Sequence, residues 1–248
     1  TWQIEAPNNT INWSLFDSAV ATARAEGLHL RLNVTPGRWT PNWLYNLGCD
    51  STYLDATTKV PIPWDPLFGT HWSDFVRKFG QRYDTEPVVT MVNIGGPNTR
   101  SIEMALAKTN GERDTWLARG YDSQTIVQTW KDCIDTFAAA FPHKFIALNL
   151  SRILLESLNA GIVEQIVSYG AAAYPDRFVI QYNGFGEDQN SAVAHFTDLV
   201  SDYDDTLIVG FEQIVPYTAP FGGFDFATTD SGFDSVVLLG FAKGMDFF

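Results

Sequence analysis

Five short runs of aliphatic, β-branched and aromatic residues recur along the chain, at 28–34 (LHLRLNV), 88–94 (VVTMVNI), 145–150 (FIALNL), 178–183 (FVIQYN) and 207–212 (LIVGFE). Each is bounded by turn or breaker residues and predicts a strand. Between them the apolar positions take up a helical period, over 13–26, 71–83, 123–141, 155–174 and 191–203. A last helical stretch, 233–243, is followed by Gly244 and a strand-like 245–248. Strict alternation of strand and helix predicts a parallel sheet with crossover helices. No linker, low-complexity tract or shift in composition interrupts it, so a single domain over 1–248 is expected.

A closed barrel and an open doubly wound sheet both satisfy that alternation, and the strand ends separate them. Asn33, Asn93, Asn149, Asn183 and Glu212 all fall at or beside the last position of their strands. In a (β/α)₈ barrel these ends converge on the rim that carries the active site. One such Asn would be an ordinary turn former, but five polar tips in five strands point to the barrel. The open alternative needs a glycine-rich phosphate turn after its first strand. Gly95-Gly96-Pro97 lacks that spacing and places a proline where amide donors would be needed. In 28–34, His29, Arg31 and Asn33 share one face and the leucines the other, as in a barrel strand with helices packed outside.

Composition narrows the chemistry. A net charge of −13 over 248 residues disfavours nucleic acid, and no basic run or long apolar stretch supports membrane binding. The acidity suits a soluble protein, and a secreted or extracellular setting is slightly favoured. Cys49 and Cys133 are far apart and the four His are scattered, so neither a metal nor another cofactor is implied. Eight Trp and nine Tyr are enough to supply sugar-stacking faces as well as core. Sequons begin at Asn8, Asn12, Asn33 and Asn149, the last two at predicted strand ends where a glycan would not fit.

Glycoside hydrolysis of the common kind uses two carboxyl groups flanking the scissile bond. Glu212 closes an apolar strand, where an unpartnered carboxylate is costly, so it is the first candidate. Its alternative is a structural Glu tied to a buried Arg.

Trp2-Gln3-Ile4-Glu5-Ala6-Pro7, with Trp13 and Phe16-Asp17, resembles the W-x-x-I-E-P stretch after the second strand of (β/α)₈ retaining glycosidases of the two-glutamate clan, β-galactosidase-like and cellulase-like. Pro36-Gly37-Arg38-Trp39-Thr40-Pro41-Asn42-Trp43 is similar to the clan's loop after strand three. Pro63-Trp64-Asp65-Pro66 is similar to the start of the next helix, and Gly210-Phe211-Glu212-Gln213 to the strand-seven nucleophile segment. The likeness runs in order through nearly the whole chain, although each piece alone is weak. It implies that 28–34 is barrel strand three and that strand one, most of strand two and the last helix lie outside this sequence. A longer parent chain or self-association is then expected to cover the open edge.

The resemblance implies Glu212 as nucleophile, but the clan's Asn-Glu at the end of strand four is replaced here by Asn93-Ile94-Gly95-Gly96. The nearest carboxylate is Glu103, within Gly96-Pro97-Asn98-Thr99-Arg100-Ser101-Ile102-Glu103-Met104. Glu103 is either the acid/base or an acidic first-turn residue of a helix capped by Ser101. If both glutamates act, retention is expected, with carboxyl groups about 5–5.5 Å apart. Trp39, Trp43, Trp64, Tyr182 and Tyr217 are candidate stacking residues for an oligo- or polysaccharide, each with an ordinary core role as alternative. Asn93, Asn149 and Asn183 are candidate partners of sugar hydroxyls, Arg31 is a candidate to orient Glu212, and Asp65 reads as a helix cap. A carbohydrate-binding barrel without catalysis remains the competing function.

Overall fold

The computed structural model describes residues 2–7, 10–155, 161–184, 191–212, 238 and 240–247, with the side chains of 191–193 left out. Tyr217 and most of the predicted helix 233–243 lie outside the described residues. The chain forms two compact units, Thr1–Ile146 with Ile153–Glu156, and Ala147–Arg152 with Ser157–Phe248. The strands of the larger sheet, β1 (Leu30–Leu32), β4 (Val89–Asn93), β5 (Phe145–Leu150), β6 (Phe178–Tyr182) and β7 (Ile208–Phe211), are ordered as in the chain.

In the first unit, helix α1 (Ser14–Glu26) leads to strand β1 (Leu30–Leu32). Gly27 ends the helix in the left-handed region (φ 65°), a conformation that costs glycine nothing in steric clash. A 3₁₀ turn (Gly37–Trp39), helix α2 (Asn42–Asn46) and an antiparallel hairpin of β2 (Ser51–Tyr53) and β3 (Lys59–Pro61) follow. Helix α3 (Pro66–Tyr83) then leads to β4 (Val89–Asn93), which pairs in parallel with β1 across a register shift between Leu30 and Arg31. Helices α4 (Asn110–Ala118) and α5 (Ser123–Ala140) come next, before β5 (Phe145–Leu150).

Helix α3 begins five residues ahead of the periodic stretch because its start signal is strong. Asp65 accepts the Phe68 amide at 2.9 Å, and Pro66 occupies the first helical position. Its apolar face, Phe68, Trp72, Phe75, Val76, Phe79 and Tyr83, is buried. At about 1.5–3 kcal/mol for each large side chain removed from water, this face outweighs any local propensity in fixing the helix. Helix α5 packs beside it, with the Phe79 and Phe141 rings 5.2 Å apart edge to face. Gly80 lets the Ala140 carbonyl lie where a Cβ would be.

In the second unit, helix α6 (Ile162–Ala173) precedes β6 (Phe178–Tyr182), and α7 (Ser191–Ser201) precedes β7 (Ile208–Phe211). Strands β6 and β7 are parallel, with Gln181 opposite Gly210 and Tyr182 opposite Phe211. Beyond them Phe247 bridges in parallel to Gly210, so the strand-like C-terminal segment does reach the sheet there. Its ring occupies the place where a Gly210 Cβ would stand, which is why this strand has no side chain at that position.

The predicted strands hold to within a few residues. The largest trimming is in 28–34, which shortens to Leu30–Leu32, with Leu28 and Asn33 exposed. The predicted helix 155–174 is observed as Ile162–Ala173, and residues 156–160 lie outside the described set.

Candidate active site

Parallel strands place their C-terminal tips at one edge of the sheet, and the tips of β6 and β7 carry the most specific arrangement. Glu212 follows β7 directly, half-buried, its amide donating to the Tyr182 carbonyl at 3.0 Å. Its carboxylate Oε2 accepts from Gln181 Nε2 at 2.8 Å. The same nitrogen donates to Asn183 Oδ1 at 2.7 Å, so both hydrogens of one amide are used. Gln181 is only 2% exposed and Asn183 3%, so the donor is fixed by packing before any ligand arrives. Tyr182, between them on the opposite face, stacks on Phe196 at 5.2 Å and lies over Gly184. Burial pushes its phenol above the usual tyrosine range, against the pull of Arg152. Asn149, near the end of β5, is fully buried.

Gln181 was not among the residues singled out from the sequence. The signal was present: strand alternation puts 181 and 183 on one face, and Asn183 was already a candidate. Among the described residues, the donor to the Glu212 carboxylate is thus a neutral amide. Arg31 is engaged in the first unit, where its Nε donates to Asn93 Oδ1 at 2.5 Å. Asn93 is the last residue of β4 and is buried.

The segment after β4 is not helical at Glu103. Residues 99–104 form bends, and α4 begins only at Asn110, capped by Thr109, whose hydroxyl accepts the Glu112 amide at 3.2 Å. The reading of Ser101 as a helix cap is therefore corrected: the T-x-x-E pattern of 109–112 is the stronger start signal. Glu103 is half-buried in a loop closed on itself. Asn98 accepts the Gly96 amide at 3.0 Å and donates to the Ser101 carbonyl. Thr99 Oγ1 contacts the carbonyls of Ala105 at 3.1 Å and Leu106 at 3.2 Å. The loop after β1 is joined to it: Arg38 donates its amide to Thr99 O at 2.9 Å, and Gly37 (φ 54°) leaves no room for a Cβ against the Asn98 and Thr99 carbonyls.

Trp39, Trp43 and Trp64 are all half-buried. The Arg38 guanidinium lies 5.4 Å from the Trp39 ring centre. Trp43 donates its indole N–H to the Glu5 carbonyl at 2.9 Å, and Trp64 packs on Trp116 and Tyr121. Glu5, part of the W-x-x-I-E-P resemblance, is a framework carboxylate. It is 4% exposed, accepts the Trp2 indole N–H at 2.6 Å and pairs with Lys78 at 3.2 Å.

No family model matches the sequence, and no curated protein matches it either. Solved structures do resemble the fold. A psychrophilic glycoside hydrolase family 10 endo-β-1,4-xylanase aligns with a TM-score of 0.56 at 13% identity, over 98% of this chain and 73% of that one. Xylanase10C from Cellvibrio japonicus aligns at 0.53 and 13% identity, over 89% and 41%. The β-galactosidase of the psychrophilic Marinomonas ef1 aligns at 0.52 and 11%, over 99% and 55%. The chain thus spans between about two fifths and three quarters of these proteins' lengths. At such identities the likeness shows the fold: this is a partial (β/α)₈ barrel of the kind found in glycoside hydrolases.

Proposed function

We propose that this chain carries the catalytic groups of a retaining β-glycosidase acting on oligo- or polysaccharides. Glu212 attacks the anomeric carbon as the bond to the leaving oxygen breaks, and Glu103 gives that oxygen its proton. Glu103 then takes a proton from water, whose oxygen displaces Glu212 from the sugar. Two inversions at one carbon leave its configuration unchanged.

The observation that carries this reading is the Gln181–Glu212 hydrogen bond at the tip of two parallel strands. A nucleophilic carboxylate has to be held in line with its target and yet keep its charge available. A neutral amide orients one oxygen without neutralising the group, whereas a guanidinium at the same distance would withdraw nucleophilicity. The half-exposed rings of Trp39, Trp43, Trp64 and Tyr182 supply stacking faces. Asn93, Asn149, Asn183 and Arg31 supply hydrogen bonds to sugar or to the groups that meet it.

The test is a panel of nitrophenyl β-glycosides, with the first-formed anomer read by NMR. Turnover to the β-anomer, lost in both Glu212→Gln and Glu103→Gln, is expected. Sugar binding with no turnover would replace this reading with the carbohydrate-binding barrel, which the absence of a carboxylate in Asn93-Ile94-Gly95-Gly96 keeps in view. An α-anomer product would remove the covalent step.

A further inference from the structure

A proton donor carried on a loop needs its loop held, and a side chain that ties this loop to its surroundings lies three residues before Glu103. Arg100 reaches in two directions. Its Nη2 lies 3.0 Å from Asp55 Oδ2, in the turn of the β2–β3 hairpin, and its Nη1 lies 3.0 Å from Glu112 Oε1, in the first turn of α4. Neither carboxylate is free to follow a moving loop. Asp55 Oδ1 accepts the Thr57 amide at 2.9 Å, the Thr58 amide at 2.8 Å and the Thr57 hydroxyl at 3.1 Å. Glu112 is 7% exposed and its Oε2 accepts the Lys108 amide at 2.7 Å. The far limb of the loop is tied as well, since the amides of Leu106 and Ala107 both donate to the Ile153 carbonyl, at 2.8 and 3.2 Å.

We infer that Arg100 is the positioning residue for the Glu103 proton donor, clamping the near limb of the 98–106 loop between the hairpin turn and the start of α4. The inference rests on the reading of Glu103 as the acid. Nη2 donates a hydrogen bond to Asp55, while the Nη1–Glu112 contact is an ion pair out of hydrogen-bond alignment, so one arm of the clamp is directional and the other electrostatic. Hydrogen bonds from Thr57 and Thr58 also hold the Asp55 carboxyl well below the usual carboxylate range. That arm of the clamp therefore stays charged where a glutamic acid keeps its proton.

Leaving-group chemistry separates a positioning role from a merely structural one. Departure of an unactivated alcohol needs the proton, whereas departure of a dinitrophenolate does not. Values of kcat/KM for an alkyl or disaccharide β-glycoside and for its 2,4-dinitrophenyl counterpart are compared in wild type, Arg100→Ala, Arg100→Lys, Asp55→Asn and Glu103→Ala. Glu103→Ala is expected to lose about 10²–10⁴-fold on the unactivated substrate alone. Arg100→Ala should lose about 10–100-fold on the same substrate and less than about twofold on the activated one. Arg100→Lys should recover part of the loss, and Asp55→Asn should show a smaller loss of the same kind. In parallel, amide hydrogen exchange of 98–106 should quicken in Arg100→Ala while β4 stays protected.

Equal losses on both substrates, or no loss, would overturn the positioning role. Unchanged exchange in 98–106 would overturn the clamp whatever the activity. If Glu103→Ala discriminates between the substrates and Arg100→Ala does not, this inference fails and the two-glutamate reading stands. A wild type inactive on both substrates removes that reading and this inference with it.

Discussion

Glu5 and Glu212 are both glutamates beside short bridged segments, and the surroundings of each assign it a different task. Glu5 is 4% exposed, with one oxygen on the Trp2 indole N–H and the other on the Lys78 ammonium. Burial works against the Lys78 charge, but hydrogen bonds to Asp74 and Glu5 prevail and raise its pKa. Glu212 is half-buried and meets, among the described residues, the neutral amide of Gln181. A carboxylate satisfied by a cation and a fixed donor has nothing left to offer a substrate. One oriented by a single neutral donor keeps both its charge and a face to use. Position in a motif does not distinguish them, since the W-x-x-I-E-P and G-F-E-Q segments resemble glycosidase motifs equally.

The largest effect expected from this contrast is in Glu212→Gln. Its kcat/KM on an aryl β-glycoside should fall by about 10³-fold or more, with a melting temperature equal to or above that of wild type. A melting temperature several degrees lower would mean that Glu212 is framework and would collapse the contrast. Glu5→Ala tests the other side. Breaking a buried pair costs about 3–5 kcal/mol when a charge is stranded, and Lys78 retains Asp74 at 2.6 Å, so about 2–3 kcal/mol is expected here. For a chain of this size that is roughly 5–10 °C in melting temperature. Activity per folded molecule should be unchanged. An undiminished melting temperature with lost turnover would exchange the two roles.

What could be read in advance followed the same division between strong local signals and tertiary arrangement. The strand 145–150 and the cap at Asp65 were legible to the residue, because a run of five apolar residues broken only by Asn149 and a D-P helix start allow few alternatives. The polar strand tips were legible too, through Asn93, Asn183 and Glu212. The β2–β3 hairpin was not: its strands have three residues each, too short for a period, although the Asp55-Ala56-Thr57-Thr58 turn that closes it is a side-chain–backbone turn written in the sequence. Helix α4 was missed although Thr109 and Glu112 spell its start. The face of Gln181 was legible from its alternation with Asn183, but its partner was not, nor were those of Arg100, for a different reason. Their partners lie 31 residues away for Gln181, and 45 and 12 for Arg100, and spacing alone does not show which distant carboxylate a polar side chain will meet.

Gln181→Leu sharpens the comparison at intermediate size. Removing the donor frees Glu212 to rotate while leaving its charge. The expected loss is about tenfold in kcat/KM, and it should be seen on the activated dinitrophenyl substrate, because it strikes the nucleophilic step. That is the reverse of the selectivity expected for Arg100→Ala. A loss confined to unactivated substrates would place Gln181 on the acid side and weaken the assignment of Glu212.

Asp17 supplies the smallest effect and isolates burial from pairing. Like Glu5 it meets a cation and a neutral donor: Arg82 Nη2 at 2.6 Å and the Tyr83 hydroxyl at 2.8 Å. Unlike Glu5 its side chain is 42% exposed, so water and salt screen the pair. The Arg82 hydrogen bond, with lesser help from Tyr83, holds the Asp17 carboxyl below its usual range. A depressed folded value stabilises above the unfolded pKa, near about 4, and that stabilisation disappears as pH falls through the lower folded value. Asp17→Asn should therefore cost only about 0.2–0.5 kcal/mol at pH 7 after screening, and the gap from wild type should close in acid and in high salt. Denaturant unfolding of the two proteins at pH 7 and near pH 2 measures it. A gap above about 1 kcal/mol at pH 7 would mean that the cation rather than burial sets the strength of these pairs, and one that persists in acid would mean that the ionised pair is not its source. The stability loss assigned to Glu5 would then need a different cause.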